Sequence, residues 1–248
     1  MNHLFLVEEL IKIVKLAGDK ILEVYHNEAL FNQIERKADN SPVTLADRLA
    51  NQIIVDNLQK RMPHIPIISE EGKNIPYEER RNWHTFWLVD PLDGTKEFIK
   101  RNGQFTVNIA LIESGVPTVG IIQLPVSGNI YYAHSNHSFK MINGMHEEIK
   151  VNSKKNNLTA IGSSSHASER ENAFLANFDI EKQIRAGSSL KFCYVAEGTA
   201  DIYYREGPTM EWDTAAGHAI VAGAGGKVEG LSYNKPNLLN GSFCCYGF

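Results

Sequence analysis

The chain is poor in cysteine: Cys193, Cys244 and Cys245 are the only three among 248 residues. An odd number at that spacing excludes a disulfide framework and fits a reducing compartment. No segment approaches the ~18 uninterrupted apolar residues of a membrane span. The opening residues, Met1 to Glu9, meet acid too early for a secretion signal. A cytoplasmic protein is the expectation, with peripheral attachment to the cytoplasmic face of the inner membrane left open. Positive charge is not in excess either. Lys and Arg number 25 against 29 Asp and Glu, a net charge of −4 with no basic arm or stripe. That argues against nucleic acid as a bulk partner, although a small anionic substrate stays open because local charge decides it. Repeats, low-complexity tracts and flexible linkers are missing as well.

What remains is an ordinary globular composition, 43% hydrophobic and 22% charged, in a chain long enough for one large domain or two small ones. Leu10, Ile11, Val14, Ala17, Ile21, Leu22 and Tyr25 recur at helical spacing and predict a long amphipathic first helix. A polar stretch from Glu35 to Asn40 leads to Ser41-Pro42-Val43-Thr44. A second helix follows, with Leu49, Ile53, Ile54 and Leu58 apolar, and Pro63 ends it. Strands are expected over 65–69, 86–90, 105–112, 119–124 and 129–134, divided by turns at Gly115, Pro117, Ser127-Gly128 and Asn143-Gly144. Beyond about residue 155 short strand-like runs, 158–162 and 182–186, alternate with helical segments. Two closely packed lobes are expected: an α+β lobe over 1–154 and an α/β lobe over 155–248.

Three acidic segments carry the chemistry. Asp90-Pro91-Leu92-Asp93-Gly94-Thr95 follows the apolar run Phe86-Trp87-Leu88-Val89. Pro91 cannot donate to a ladder, so the strand is expected to stop at Asp90, and Gly94-Thr95 to open a short helix. Carboxylates beside free backbone N–H groups suit a hard cation such as Mg²⁺ and a phosphate together, a metal-assisted phosphoryl-transfer site. The plainer reading makes Asp90 a strand-end cap and Asp93 a turn residue. If both point into a cleft, the Leu92 carbonyl between them is a further ligand. Ile67-Ile68-Ser69-Glu70-Glu71 ends a second strand, and adjacent residues face opposite ways, so at most one glutamate enters the site. Asp213 heads a small-residue helix expected over 215–225, where capping alone would explain it. Thr44 and Asp47 fit a capping box, which by itself explains both.

Rival chemistries lack their residues. There is no D-x-D-x-[TV] for an aspartyl-phosphate, no arginine six residues after Cys193 for a phosphocysteine, and no R-H-G for a phosphohistidine. Gly223 to Lys227 fails both nucleotide-loop spacings and reads as a helix end before a strand. His134 and His137 have no zinc-partner pattern. A metal-bound water is left as the nucleophile.

In order, these segments resemble the signature of the lithium-sensitive, Mg²⁺-dependent inositol monophosphatase superfamily, over nearly the whole chain. Within it the similarity is strongest to 3′(2′),5′-bisphosphate nucleotidases of the CysQ type. Asn40 to Thr44, Asp90 to Asn108, Gly187 to Phe192, and Gly207-Pro208-Thr209 ahead of Trp212-Asp213 carry it. The resemblance implies an α/β layered sandwich with alternating α-β-α-β-α layers, as in the inositol monophosphatase and fructose-1,6-bisphosphatase fold. It also implies removal of the 3′-phosphate from adenosine 3′,5′-bisphosphate (pAp) to leave AMP; some such enzymes act on the phosphosulfate PAPS too.

Position by position, it implies two or three Mg²⁺ ions held by Glu70, Asp90, the Leu92 carbonyl, Asp93 and Asp213, with Li⁺ inhibitory. Asp47 and Thr95 would orient the attacking water, and Gly94 and Thr95 N–H groups would hold the scissile phosphate. Ser188, Lys191, Arg205 and His166, with Asp213, fall where the family binds nucleotide. Basic groups there suit a second phosphate, though solvated surface positions would explain them equally. Relatives often carry arginine where this chain reads Ser163-Ser164-Ser165-His166. An inositol monophosphatase or sugar-bisphosphate phosphatase on the same scaffold, or a non-catalytic phosphate- or nucleotide-sensing module, stays open, as does oligomeric state.

Overall fold

Successive strand residues point to opposite faces, so a run apolar at every position must be covered on both. Phe86 and Leu88 belong to one core cluster, and Trp87 and Val89 to another on the opposite face. This strand is the centre from which the computed structural model is best described; it covers residues 3–36, 42–164 and 169–248. Asn40, Ser41, Ser165 and His166 lie outside the described residues.

The chain begins α1 (His3–His26), α2 (Glu28–Phe31), β1 (Ile34–Arg36), β2 (Pro42–Thr44) and α3 (Leu45–Arg61). Then come β3 (Ile67–Ser69), α4 (Tyr77–Arg80), β4 (Thr85–Asp93), α5 (Thr95–Ile99), β5 (Thr106–Glu113), β6 (Val116–Gln123), β7 (Ile130–His134), β8 (His137–Ile142) and β9 (Met145–Ile149). The last part holds β10 (Leu158–Ser163), α6 (Glu169–Leu175), β11 (Ile180–Ala186), α7 (Leu190–Ala196) and β12 (Ile202–Arg205). It closes with β13 (Thr209–Met210), α8 (Glu211–Gly223), β14 (Lys227–Glu229), β15 (Leu239–Asn240) and β16 (Phe243–Tyr246).

Strands β3 to β9 form a seven-stranded sheet in sequence order, antiparallel except for the β3–β4 pair. A five-stranded mixed sheet has the order β11-β10-β12-β16-β14. Helices α1 and α3 cover one face of the larger sheet, and their apolar residues share a cluster with Trp87, Val107 and Ile109. Helices α7 and α8 fill the space between the sheets with Phe192, Ile220 and Val221. Phe174 and Leu175 of α6 cover the far side of the smaller sheet, beside Ala160 and Ile202. The layers therefore run α-β-α-β-α. Gly120 lets α8 lie against β6: a Cβ there would stand 2.5 Å from the Ala216 carbonyl.

One expectation fails where it matters. Strand β4 does not stop at Asp90 but runs through Pro91 to Asp93. Asp90 pairs with Asn108 and Asp93 with Thr106, so β4 carries one residue more than β5 there, a bulge. On the other side β3 has already ended opposite Val89, so no partner waits for the N–H that proline lacks. The helix carrying Asp213 also begins earlier than expected, at Glu211. Strands β8 and β9 were not foreseen around the Asn143-Gly144 turn. Met145 to Glu148 are all exposed, so β9 has no buried-exposed alternation to read.

Short α5 is held by its aromatic face. Phe98 packs against Tyr25 and Phe105 at 5.2 Å and Phe31 at 5.3 Å between ring centroids. Phe98→Ala would cost about 3–5 kcal/mol and loosen the turn before it.

Candidate active site

The strand bulge and the helix it leads into set the first half of the site. The Asp90 carboxylate accepts the Leu92 N–H at 3.0 Å, closing a tight local turn. Gly94 then takes φ +91°, and a Cβ on it would lie 3.2 Å from Ser188 Cβ and 3.3 Å from the Gln104 carbonyl. Backbone conformation and space both demand glycine. Helix α5 starts at Thr95, and the Thr95 and Lys96 N–H groups precede its first bonds, which Glu97 and Phe98 make to the Gly94 carbonyl. The Leu92 side chain is core, while its carbonyl faces the Thr95 hydroxyl at 3.5 Å.

Asp47 divides its two oxygens. Oδ2 accepts the Thr44 N–H at 2.7 Å and the Thr44 hydroxyl, completing the capping box of α3. Oδ1 accepts the Thr95 hydroxyl at 3.2 Å. Capping therefore leaves one oxygen turned to the site. Asp213, the third residue of α8, likewise caps through Oδ2, which accepts the Met210 N–H at 2.8 Å.

Glu70, Asp90, Leu92, Asp93 and Asp213 line a single cavity of about 990 Å³. Gly94, Thr95, Ser188, Lys191 and Arg205 line the same cavity, and Glu71 does not. Asp47 stands behind Thr95 rather than on the wall. His166 lies outside the described residues.

Like charge is concentrated at one end. Asp90 is 1% exposed; burial, then Glu70, Asp93 and Asp213, hold its carboxyl well above the usual range. Asp213 is raised in the same way, by burial first and Asp93 next. Asp93 opens on the cavity but is enclosed by protein elsewhere. Burial pushes it up to about 6, against the opposing pull of Lys191 and of the Ser189 backbone N–H. Burial likewise takes Asp47 to about 6, with Thr44 opposing and Glu71 and Glu70 assisting. Carboxylates packed this way are relieved by a proton or a cation. An all-oxygen donor set, with no nitrogen or sulfur, suits Mg²⁺. Among the described residues these donors line the wall without closing as a ready-made metal cage.

The other end is basic. Lys191, 6% exposed, donates to the Ser188 carbonyl and lies 5.4 Å from the Tyr203 ring centroid. Burial brings its ammonium down to about 8, and Arg205 adds to the fall while Asp93 resists it. Arg205 Nε is buried and has no hydrogen-bond partner among the described residues.

Several contributors escaped the sequence reading. Tyr203 and Glu171 line the cavity without belonging to any motif. Ser189 donates to Asn108 Oδ1 at 2.7 Å and meets the Thr106 hydroxyl at 2.8 Å, a polar cluster behind Asp93. Here a signal existed: Thr106 and Asn108 are polar two residues apart in a strand otherwise apolar on both faces until its last residue, Glu113.

Residues 5–246 match the model of the inositol monophosphatase family. The 3′(2′),5′-bisphosphate nucleotidase CysQ of Salmonella typhimurium is 46% identical over 223 residues, 90% of this chain and 89% of that protein. Its namesake from Haemophilus influenzae is 32% identical, over 98% of this chain and 93% of its own. Among solved structures, CysQ from Bacteroides thetaiotaomicron superposes with a TM-score of 0.84 at 40% identity, covering 97% of each chain. The Thermotoga maritima IMPase gives 0.78 at 25% identity, covering 97% of this chain and 91% of its own.

Proposed function

The chain belongs to the inositol monophosphatase family, and from that premise we propose that it hydrolyses the 3′-phosphate of pAp, giving AMP and phosphate. The observation that carries the reading is the division of one cavity into an acidic and a basic end. A bisphosphate brings more negative charge than a cation site alone would balance, and Lys191 with Arg205 meets the surplus.

Glu70, Asp90, Asp93, Asp213 and the Leu92 carbonyl would hold Mg²⁺. When bound, the metal neutralises phosphate charge and lowers the pKa of water. The chain does the rest. The Thr95 hydroxyl donates to Asp47, which leaves its lone pairs free to accept from the attacking water and fix its direction. Asp47, reached through Thr95, sets that hydroxyl's rotamer. Gly94 and Thr95 N–H groups cradle the scissile phosphate. Lys191 and Arg205 grip the second phosphate and align the ester for in-line attack. As the water oxygen bonds to phosphorus, the bond to the ribose 3′ oxygen breaks; one proton of the water ends on that oxygen and the other leaves with the phosphate.

Phosphate release from pAp, inositol 1-phosphate and fructose 1,6-bisphosphate, with and without Mg²⁺ and Li⁺, tests this. A Mg²⁺-dependent, Li⁺-sensitive preference for pAp is expected. Preference for a sugar or inositol phosphate would overturn the substrate, and no release from any would overturn the enzyme.

A further inference from the structure

Glu211 is wholly buried, 0% exposed, at the start of α8. It does not cap its own helix, since Asp213 already does. Both its oxygens turn to the segment before β15. Oε2 accepts the Asn234 N–H at 2.7 Å and Oε1 the Lys235 N–H at 2.8 Å. The Lys235 ammonium pairs with Oε1 at 2.8 Å and donates to Asn240 Oδ1 at 2.9 Å. Asn240 returns to α8, donating to the Met210 carbonyl at 2.9 Å and the Thr214 hydroxyl at 3.1 Å.

The network also runs outward. Arg80, 2% exposed, ends α4, on the segment that follows Glu70. Its Nη1 donates to Asn234 Oδ1 and its Nη2 to the Pro236 carbonyl, each at 2.8 Å. Asn234 Nδ2 donates back to the Arg80 carbonyl at 2.8 Å. An unbroken run of hydrogen bonds thus joins the segment after Glu70 to the turn that carries Asp213. Burying an acid and a base so deeply is unfavourable unless every bond is made, and an apolar pair would fill the space as well. What the polar set adds is a fixed register.

We propose that Arg80, Asn234 and Glu211 are positioning residues that hold Asp213 in register with Glu70 and thereby set the affinity of the acidic end for its divalent cation. None of the three lines the cavity, so they act through Asp213. The inference rests on the function proposed above.

Glu211→Gln keeps the shape but offers one acceptor oxygen where two N–H groups and Lys235 need two. Asn234→Gly removes the amide arms yet suits the left-handed backbone at φ +68° and leaves the Glu211 carboxylate intact, so it tests the same network without the Gln variant's lost acceptor. Three quantities are read: the Mg²⁺ concentration for half-maximal pAp hydrolysis, KM for pAp at saturating Mg²⁺, and binding of Mg²⁺ alone by calorimetry without substrate. Glu211→Gln should raise both Mg²⁺ constants about 10-fold and Asn234→Gly several-fold, with KM for pAp within about two-fold. Unchanged Mg²⁺ constants would mark a merely structural role and overturn the inference. Asp213→Asn separates the two ideas. If it too leaves Mg²⁺ binding and turnover unmoved, the functional reading fails at that residue. If it removes both while the other variants bind normally, the positioning claim alone fails.

Discussion

The acidic end of the cavity draws on three stretches far apart in the chain, around residues 70, 90–95 and 213, with Asp47 behind Thr95, whereas Ser188, Lys191, Tyr203 and Arg205 at the basic end come from a single stretch. Their physics also differs in sign. Burial and mutual repulsion push the carboxyls of Asp90, Asp93 and Asp213 up, while burial pushes the Lys191 ammonium down. Each end holds its charge under strain, and each is relieved by the opposite charge, a cation at one end and a phosphate at the other. The proposed division of labour follows: turnover depends on the acidic end and recognition on the basic end.

The harshest way to break that division is Asp93→Asn. Turnover on pAp should fall about 10³-fold or more at saturating Mg²⁺, the several kcal/mol that an electrophilic metal supplies. KM should move little. Because one of several repelling carboxylates is gone, the melting temperature in EDTA should hold or rise. A folded variant with near-native turnover would sink the assignment. Next in size is Thr95→Val, which matches the shape and deletes the hydroxyl facing Asp47. Steady-state kinetics should show kcat down about 10²-fold with KM nearly unchanged, the scale of a lost proton-positioning group.

The two ends also differed in how far the sequence disclosed them. Asp90 and Asp93 close an apolar run and Asp213 sits in the first turn of a small-residue helix. The resemblance gave them their role; periodicity only marked them as candidates. It could not find the bulge, because whether Pro91 ends a strand depends on whether a neighbour waits for its N–H, and β3 stops one residue short. Lys191 and Arg205 were reached through family resemblance only. A lysine on α7 looks solvated until Tyr203, from β12, is packed against it. Glu211 was invisible for a related reason. Nothing between residues 232 and 240 signals that two of its N–H groups will close on a helix start. Long-range partners of buried charges are the part of the design that local pattern leaves unwritten.

Lys191→Met sharpens the comparison from the other side. It keeps the apolar stem against Tyr203 and removes the charge. KM for pAp should rise about 10- to 100-fold, the value of one charge-assisted hydrogen bond, with kcat within a few-fold. Activity on a monophosphate such as inositol 1-phosphate should not respond. An equal loss on both substrates would place Lys191 with the acidic end instead.

The smallest effect tests the opposed signs directly, through stability against pH. Asp47 and Asp93 titrate at about 6 in the fold and near 4 in the unfolded chain. Between those values the folded state holds protons that the unfolded state has released. Stability from these groups is thus complete below about pH 4 and is lost as pH rises through about 6. In EDTA the melting temperature should fall by roughly 5 °C from pH 5 to 7.5. Added Mg²⁺ should restore more at pH 7.5 than at pH 5, because it takes the place of those protons. Lys191 behaves oppositely: its ammonium titrates at about 8 in the fold and near 10.4 unfolded. Its contribution therefore rises with pH between those values, and shows as the difference between the native protein and Lys191→Met. Calorimetric scans of both proteins from pH 5 to 10 check the two slopes together. A native melting temperature in EDTA that climbs from pH 5 to 7.5 would mean the acidic end is not held under mutual repulsion, and the contrast between the ends would dissolve.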